Sequence, residues 1–243
     1  MRRIFFLRTT QTVYLRHIIM QMSKPLSLTE ENYLKTIFSL SDGQDNAVNT
    51  SALAKQINIA SSSVTDMLKR LGEKGYIHYE KYQGVRLTDS GRSIAINIIR
   101  KHRLWEVFLV DKLHFSWDEV HEVAEQLEHI RSKKLTTRLY EFLNKPKFDP
   151  HGDPIPDENG NFPDMERNML TDFNEGDTVT ILGVNDDSPD FLKYLEQLNL
   201  KLGSILTINT ILSHDRSMEL RNQHNKTIML SYISCQHIFC KKS

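Results

Sequence analysis

The sequence predicts a mainly α protein with a small β domain near its C-terminal end. Three observations carry this prediction. Helix-capping signals and apolar stripes at helical spacing recur from Ser27 to Asn144. One strand-turn-strand pattern interrupts them around Tyr82-Gln-Gly84. Beyond the proline-rich stretch Asp149-Pro-His-Gly-Asp-Pro-Ile-Pro-Asp157, the hydrophobic period changes from helical to strand-like. A chain of 243 residues is long enough for two or three compact units. Its 39% hydrophobic and 26% charged residues exclude global disorder. Lys+Arg and Asp+Glu number 31 each, so any nucleic-acid surface has to be a local patch.

Taken in order, residues 1–22 open as Met1-Arg-Arg-Ile-Phe-Phe-Leu-Arg8. The apolar run Ile4–Leu7 falls short of the ~7–15 residues of a signal-peptide core. The segment reads as an extension, disordered or weakly helical, with Met20 or Met22 as alternative starts. Ser27-Leu-Thr-Glu30 is a capping box, and the helix it opens places Tyr33, Leu34, Ile37 and Phe38 on one face. Turn formers from Ser41 to Asn46 end it. A short helix over Ser51–Asn58 takes Thr50 as its cap. The next starts at Ser61-Ser62-Ser63, buries Val64, Met67, Leu68 and Leu71, and stops at Gly75. Tyr76–Lys81 and Val85–Thr88 form a hairpin, and helix, helix, helix, hairpin is the order of a winged helix, here over 23–95.

Thr88 or Asp89 caps a long helix to about Lys112, with Ile94, Ala95, Ile98, Trp105 and Phe108 inside. A second helix runs from near Ser116 to about Lys133 and a third from about Lys134 to Asn144. With the proline stretch as a linker or crossing segment, they make a helical unit over 96–165. Strands at Thr178–Leu182, Ile205–Ile211, Ser217–Leu220 and Thr227–Leu230, broken by a helix near Phe191–Asn199, predict a small β-barrel over 170–241. No stretch approaches the ~18 apolar residues of a membrane span. The two cysteines, Cys235 and Cys240, are too few for a disulfide scaffold and fit reduced thiols in a cytoplasmic protein.

The most specific chemical pattern is His121, Glu125, Glu128 and His129, at i, i+4, i+7 and i+8. On a helix these fall within about 100° of arc, beside a face of Val120, Val123, Ala124, Leu127 and Ile130 that has to be core. Desolvating two carboxylates side by side is expensive unless a cation compensates. The preceding helix adds His102 and Glu106 at i, i+4. An oxygen-rich set with imidazole suits Mn²⁺ or Fe²⁺. A solvated polar helix face gives the same spacing and stands as the alternative. His121-Glu-Val-Ala-Glu125 begins like H-E-x-x-H, but Glu125 replaces the second histidine, so the zinc-protease face is missing. There is no G-x-S-x-G elbow and no phosphate-binding glycine loop, so the sequence does not read as an enzyme.

On the third helix Ser61, Ser62, Ser63, Thr65 and Lys69 lie away from the Val64/Leu68/Leu71 stripe, where they can approach phosphates and base edges. From Lys69 to Arg86, Lys69, Arg70, Lys74, Lys81 and Arg86 stand against only Glu73 and Glu80, a positive patch on the elements that would face DNA.

These segments resemble the diphtheria toxin repressor family of metal-dependent transcriptional regulators. The resemblance rests on Thr29-Glu-Glu-Asn-Tyr-Leu-Lys-Thr-Ile37, Ser62-Ser-Val-Thr-Asp-Met-Leu-Lys-Arg-Leu71 and Gly84-Val-Arg-Leu-Thr-Asp-Ser-Gly91. It continues through Arg100-Lys-His-Arg-Leu104, Val120–His129 and Pro150-His-Gly-Asp-Pro-Ile-Pro156. Phe191-Leu-Lys-Tyr-Leu195 and Leu202-Gly203 resemble the FeoA-like, SH3-type domain of the long members. The resemblance implies a winged helix, a helical dimerisation and metal-binding domain, and a C-terminal SH3-like β-barrel.

It also implies one metal site at Asn32, Glu125, Glu128 and His129. Glu125 stands where iron-type members have cysteine, which favours Mn²⁺ over Fe²⁺. Asn32 is neither the aspartate of manganese sensors nor the methionine of iron sensors; its amide oxygen can ligate but adds no charge. Lys35 replaces a carboxylate of the short manganese sensors, which argues against their two-metal cluster. An ancillary site is implied at His102, Glu106 and His121, completed from the barrel by Asp187 and Asp190. The implied function is a Mn²⁺- or Fe²⁺-dependent repressor controlling metal homeostasis. It would bind a palindromic DNA operator as a homodimer through Ser61, Ser62, Ser63, Thr65, Lys69, Lys81 and Arg86, with no membrane and no small organic substrate. A winged-helix regulator with an organic effector, or a metal-dependent enzyme, is the alternative.

Overall fold

Ser27 and Glu30 close the capping box at the start of α1 (Leu28–Leu40). The Ser27 hydroxyl accepts from the Glu30 amide, and the Glu30 carboxylate accepts from the Ser27 amide at 2.9 Å. The computed structural model describes residues 25–80, 83–164, 168–186 and 188–243, and the chain divides into two compact units, Met1–Ile98 and Ile99–Ser243. The N-terminal extension with Met20 and Met22, and the predicted site residues Lys81 and Asp187, lie outside the described residues.

In the first unit α1 buries Tyr33, Leu34, Ile37 and Phe38. Helix α2 (Thr50–Ile57) is capped by Asn49 and not by Thr50: the Asn49 side chain accepts from the Ser51 amide at 2.9 Å, so Thr50 becomes the first helical residue. Helix α3 (Ser61–Glu73) buries Val64, Met67, Leu68 and Leu71, as its spacing predicts. It ends where Gly75 takes φ +75°, letting the Tyr76 amide reach back to the Leu71 carbonyl at 3.1 Å. Strands β1 (Ile77–Glu80) and β2 (Gly84–Leu87) then pair antiparallel, and Val48 adds a bridge to Val85.

Helix α4 (Asp89–Leu113) begins in the first unit and continues into the second. In the second unit α5 spans Trp117–Leu127 and α6 spans Lys133–Phe142. The expected continuation of α5 to Lys133 does not occur. The Ser132 side chain accepts from the Leu135 amide and starts α6, so the residues before it turn. Glu128 is therefore the C-cap of α5, and Ile130 is exposed rather than core. Leu104, Val107, Leu139, Leu143 and Ile155 form one apolar cluster, and Leu109, Val120 and Ala124 a second.

The C-terminal part is a six-stranded antiparallel sheet ordered β3-β8-β4-β5-β6-β7. Its strands are β3 (Asn168–Met169), β4 (Thr178–Val184), β5 (Ile205–Ile211), β6 (Met218–Asn222), β7 (Thr227–Leu230) and β8 (Ile238–Lys242). Helices α7 (Pro189–Gln197) and α8 (Tyr232–Cys235) accompany them. The inner residues of β4 and β5, Val179, Ile181, Leu206 and Ile208, pack with Leu192 and Leu195 of α7. Burying each such side chain contributes roughly 1.5–3 kcal/mol. Strand β8 escaped the sequence reading because two of its five residues are lysines and its neighbours lie far away in the chain. Cys235 and Cys240 are free thiols in this core, and burial pushes both up to about 12. Among the described residues no helix is long and apolar enough to cross a membrane.

Candidate functional site

Helix α4 sets His102 and Glu106 one turn apart on its buried face, with side chains only 7% and 3% exposed. Their separation is 3.0 Å from Nε2 to Oε1. His121, on α5, brings Nδ1 to 3.2 Å from His102 Nε2 and 3.4 Å from Glu106 Oε1. The other nitrogen of His102, Nδ1, lies 2.6 Å from Glu128 Oε2. Four of the residues singled out by helical spacing thus meet in one buried polar cluster.

The cluster has a second half that helical spacing did not reveal. Glu106, Asp149 and His151 are all buried, and each offers a ligand atom within 4.8 Å of the others. His151 Nδ1 is 3.8 Å from Glu106 Oε1. Its ring meets Trp117 edge to face at 5.6 Å between centroids. The proline stretch that carries these residues is a pinned crossing segment, not a loose linker. Asp149 accepts from the amides of His151 and Asp153, both at 2.9 Å. Arg103 pairs with Asp149 at 3.5 Å and Asp153 at 3.1 Å, and Arg100 donates to the Pro156 carbonyl. On the sheet side the Val184 amide donates to the His151 carbonyl at 2.9 Å. Gly152, at φ +91°, sits so close to β4 that a Cβ would lie 2.1 Å from the Leu182 carbonyl oxygen. The aspartate two residues before a histidine in Asp149-Pro-His151 is an Asx-turn signal that could have flagged the segment.

The electrostatics show what such packing costs. Burial alone would raise the Glu106 carboxyl. The charge and hydrogen bond of His102, the hydrogen bond of His121 and the charge of His151 instead hold it well below the usual carboxylate range. Asp149 goes the other way: burial, then the charges of Glu106 and Asp153, push it well above that range against the pull of Arg103. Glu128 is the third buried carboxylate here. Buried acids with imidazoles and no thiolate fit a hard or borderline divalent cation.

Glu125 is exposed, 3.5 Å from His121 Nε2, and His129 Nε2 is 3.8 Å from Glu128 Oε1. Asn32 is exposed on α1 in the first unit. Asp190 is exposed in the first turn of α7, and no hydrogen bond or ion pair among the described residues joins it to the cluster. The sheet is attached to α5 by other groups, Lys193 to Asp118 at 3.3 Å and the Trp117 amide to Glu196 at 3.5 Å.

On the first unit Ser61, Ser62, Ser63 and Lys69 are exposed along α3, and Thr65 is half-buried with its hydroxyl donating to the Ser61 carbonyl at 3.0 Å. Arg86 is exposed on β2 beside Asp45. Lys74 does not belong to the open patch, since it pairs with Glu30 at 2.6 Å.

Residues 25–85 match the iron-dependent repressor N-terminal DNA-binding domain, 88–157 the iron-dependent repressor metal-binding and dimerisation domain, and 169–242 the FeoA domain. The iron-dependent repressor IdeR of Mycobacterium tuberculosis is 34% identical over 128 residues, 53% of this chain and 55% of that protein. The diphtheria toxin repressor of Corynebacterium glutamicum is 34% identical over 134 residues, 55% of this chain and 58% of that protein. The chain thus matches little more than half the length of these relatives. A solved manganese-dependent transcriptional repressor in complex with manganese superposes with a TM-score of 0.78 at 33% identity, covering 88% of this chain and 100% of that one. With three domain matches in the order of the fold and a full-length structural relative, the chain belongs to the diphtheria toxin repressor family of metal-dependent transcriptional repressors.

Proposed function

We propose that the protein is a Mn²⁺-activated repressor that acts in the cytoplasm as a homodimer on a palindromic DNA operator. The observation that carries this reading is the buried cluster of carboxylates and imidazoles around Glu106, which contains no thiolate. Oxygen and imidazole donors without sulfur favour Mn²⁺, with Fe²⁺ as the other candidate. In this reading His102, Glu106 and His121 hold one ion, joined by Asp149 and His151 rather than by Asp190. Glu125, Glu128 and His129 hold another. A bound ion supplies positive charge that offsets the desolvated carboxylates; it performs no reaction, and the protein is a regulator rather than an enzyme. The DNA surface is Ser61, Ser62, Ser63, Thr65, Lys69 and Arg86, with Lys81 beside them. The chain divides functionally into a winged helix over 23–95, a dimerisation and metal domain over 96–165 and an SH3-like module over 170–241. Effector action requires that the ion favour the DNA-competent state over others.

The test is to select DNA from a random library with the metal-free protein, with and without Mn²⁺. Enrichment of a two-fold symmetric sequence only with Mn²⁺ is expected, and Glu128→Ala should abolish it while leaving a folded dimer. Equal enrichment in the presence of a chelator would overturn the reading and favour an organic effector.

A further inference from the structure

We infer that Asp66 reads a cytosine in the major groove of the operator and so helps to set its sequence; this rests on the DNA surface proposed above. Helices α2 and α3 are joined by only three residues, 58–60. Those are the proportions of a helix-turn-helix, which presents its second helix to the groove. Val64, Met67, Leu68 and Leu71 bury one face of α3. At about 100° per residue, Ser62, Asp66 and Lys69 fall within roughly 60° of one another, opposite that face. All three are exposed, Asp66 with 74% of its side chain in solvent. Thr65 lies to one side of this stripe, and its hydroxyl already donates to the Ser61 carbonyl. The outermost line of the helix therefore has a carboxylate at its centre.

An acid among phosphates is repelled unless it meets a cation and hydrogen-bond donors. The cation is in place: Lys69 Nζ lies 3.7 Å from Asp66 Oδ1, one turn along the helix. So exposed a pair contributes little to stability, and the fold does not require an acid at this position. An ionised carboxylate only accepts hydrogen bonds. In the major groove guanine and thymine present acceptors, and the donors are the amino groups at cytosine N4 and adenine N6. These two bases are not equivalent. Adenine sets the lone pair of N7 beside its amino group, against the second carboxylate oxygen, whereas cytosine has a C–H there. Asp66 thus selects cytosine, and Lys69 offsets its charge toward the DNA backbone.

The experiment is a random-library DNA selection with the full-length protein and Mn²⁺, run on the wild type and two variants. The wild type should enrich a cytosine at one fixed position of each half-site, with other bases there bound roughly tenfold more weakly. Asp66→Ala should flatten the preference at that position and leave the rest of the operator pattern in place. Asp66→Asn sets a donor beside its acceptor, the pattern that pairs with adenine N6 and N7, and should move the preference from cytosine to adenine. Both variants change an exposed side chain, so thermal unfolding should match the wild type, which separates a lost base contact from a lost fold. A retained preference for cytosine in either variant, or relaxation at a pair other than C·G, would overturn the role of Asp66 alone. No enrichment by the wild type, with or without Mn²⁺, would overturn the proposed function with it.

Discussion

Helix α3 and the α4–α5 cluster handle polarity in opposite ways. On α3 the polar residues Ser61, Ser62, Ser63 and Lys69 are in water, above a fully apolar buried stripe. In the cluster, Glu106, Glu128, Asp149, His102 and His151 are buried among themselves. The first arrangement costs the fold almost nothing, because its groups never leave solvent. The second takes several ionisable groups out of water and offsets the loss through mutual hydrogen bonds and the charge of Arg103. The proposed DNA surface can therefore vary at little cost to the fold, whereas the proposed metal cluster is tied to the stability of the unit that holds it.

The sharpest way to break this contrast is Gly152→Ala. The new methyl would overlap the β4 backbone at a left-handed φ, and a destabilisation of about 3–4 kcal/mol is expected in urea unfolding of the second unit. Next, Mn²⁺ at a hundredfold excess over its Kd should stabilise the protein by about 2–3 kcal/mol in thermal unfolding for each ion bound, and Glu106→Gln should remove the share of the ion it holds. If Mn²⁺ stabilises Glu106→Gln equally, the buried cluster is not where the ion acts.

A smaller effect is expected at the Glu30–Lys74 pair in the first unit. Burial raises the Glu30 carboxyl, but Lys74 and the Ser27 amide outweigh it and leave it below its ordinary value of 4.5. Its stabilisation is therefore complete above about pH 4.5 and is lost as pH falls through the lower folded value. Glu30→Gln keeps a competent capping-box residue. It should cost about 1 kcal/mol at neutral pH, and the difference from wild type should vanish in acid. The smallest change in stability, within about 0.5 kcal/mol, is expected for Lys69→Ala. The same variant should weaken binding to all DNA sequences and reduce the salt-dependence slope by about one. A large loss of stability there would erase the contrast between the two regions.

Local pattern made much of this legible. Capping boxes, apolar stripes and the Gly75 stop act within a few residues, so α1, α3, the hairpin and α4 could be read directly. Competition between adjacent signals was harder. Asn49 displaced Thr50 as a cap, and Ser132 ended α5 early enough to expose Ile130. The helical half of the cluster was visible because His102/Glu106 and His121/Glu125 each sit one turn apart. Asp149 and His151 were not, because their partner Glu106 lies on a helix distant in sequence, and only the folded crossing segment brings them together. Strand β8 was hidden for the same reason, since its register is set by β4.

Gly152 has one more consequence. The segment bearing Asp149 and His151 leans on β4, with the His151 carbonyl held by the Val184 amide. The sheet thus backs the buried cluster, and among the described residues it contributes no side chain to the groups around Glu106. Gene fusion or loss can shuffle a domain freely only when its neighbours fold identically without it. Here an exchange of the C-terminal cassette for an unrelated one would have to reproduce a glycine-width gap and one correctly placed amide. Such an exchange is not neutral for the crossing segment, because β4, which supports it, is itself held between β8 and β5 and comes and goes with the whole sheet.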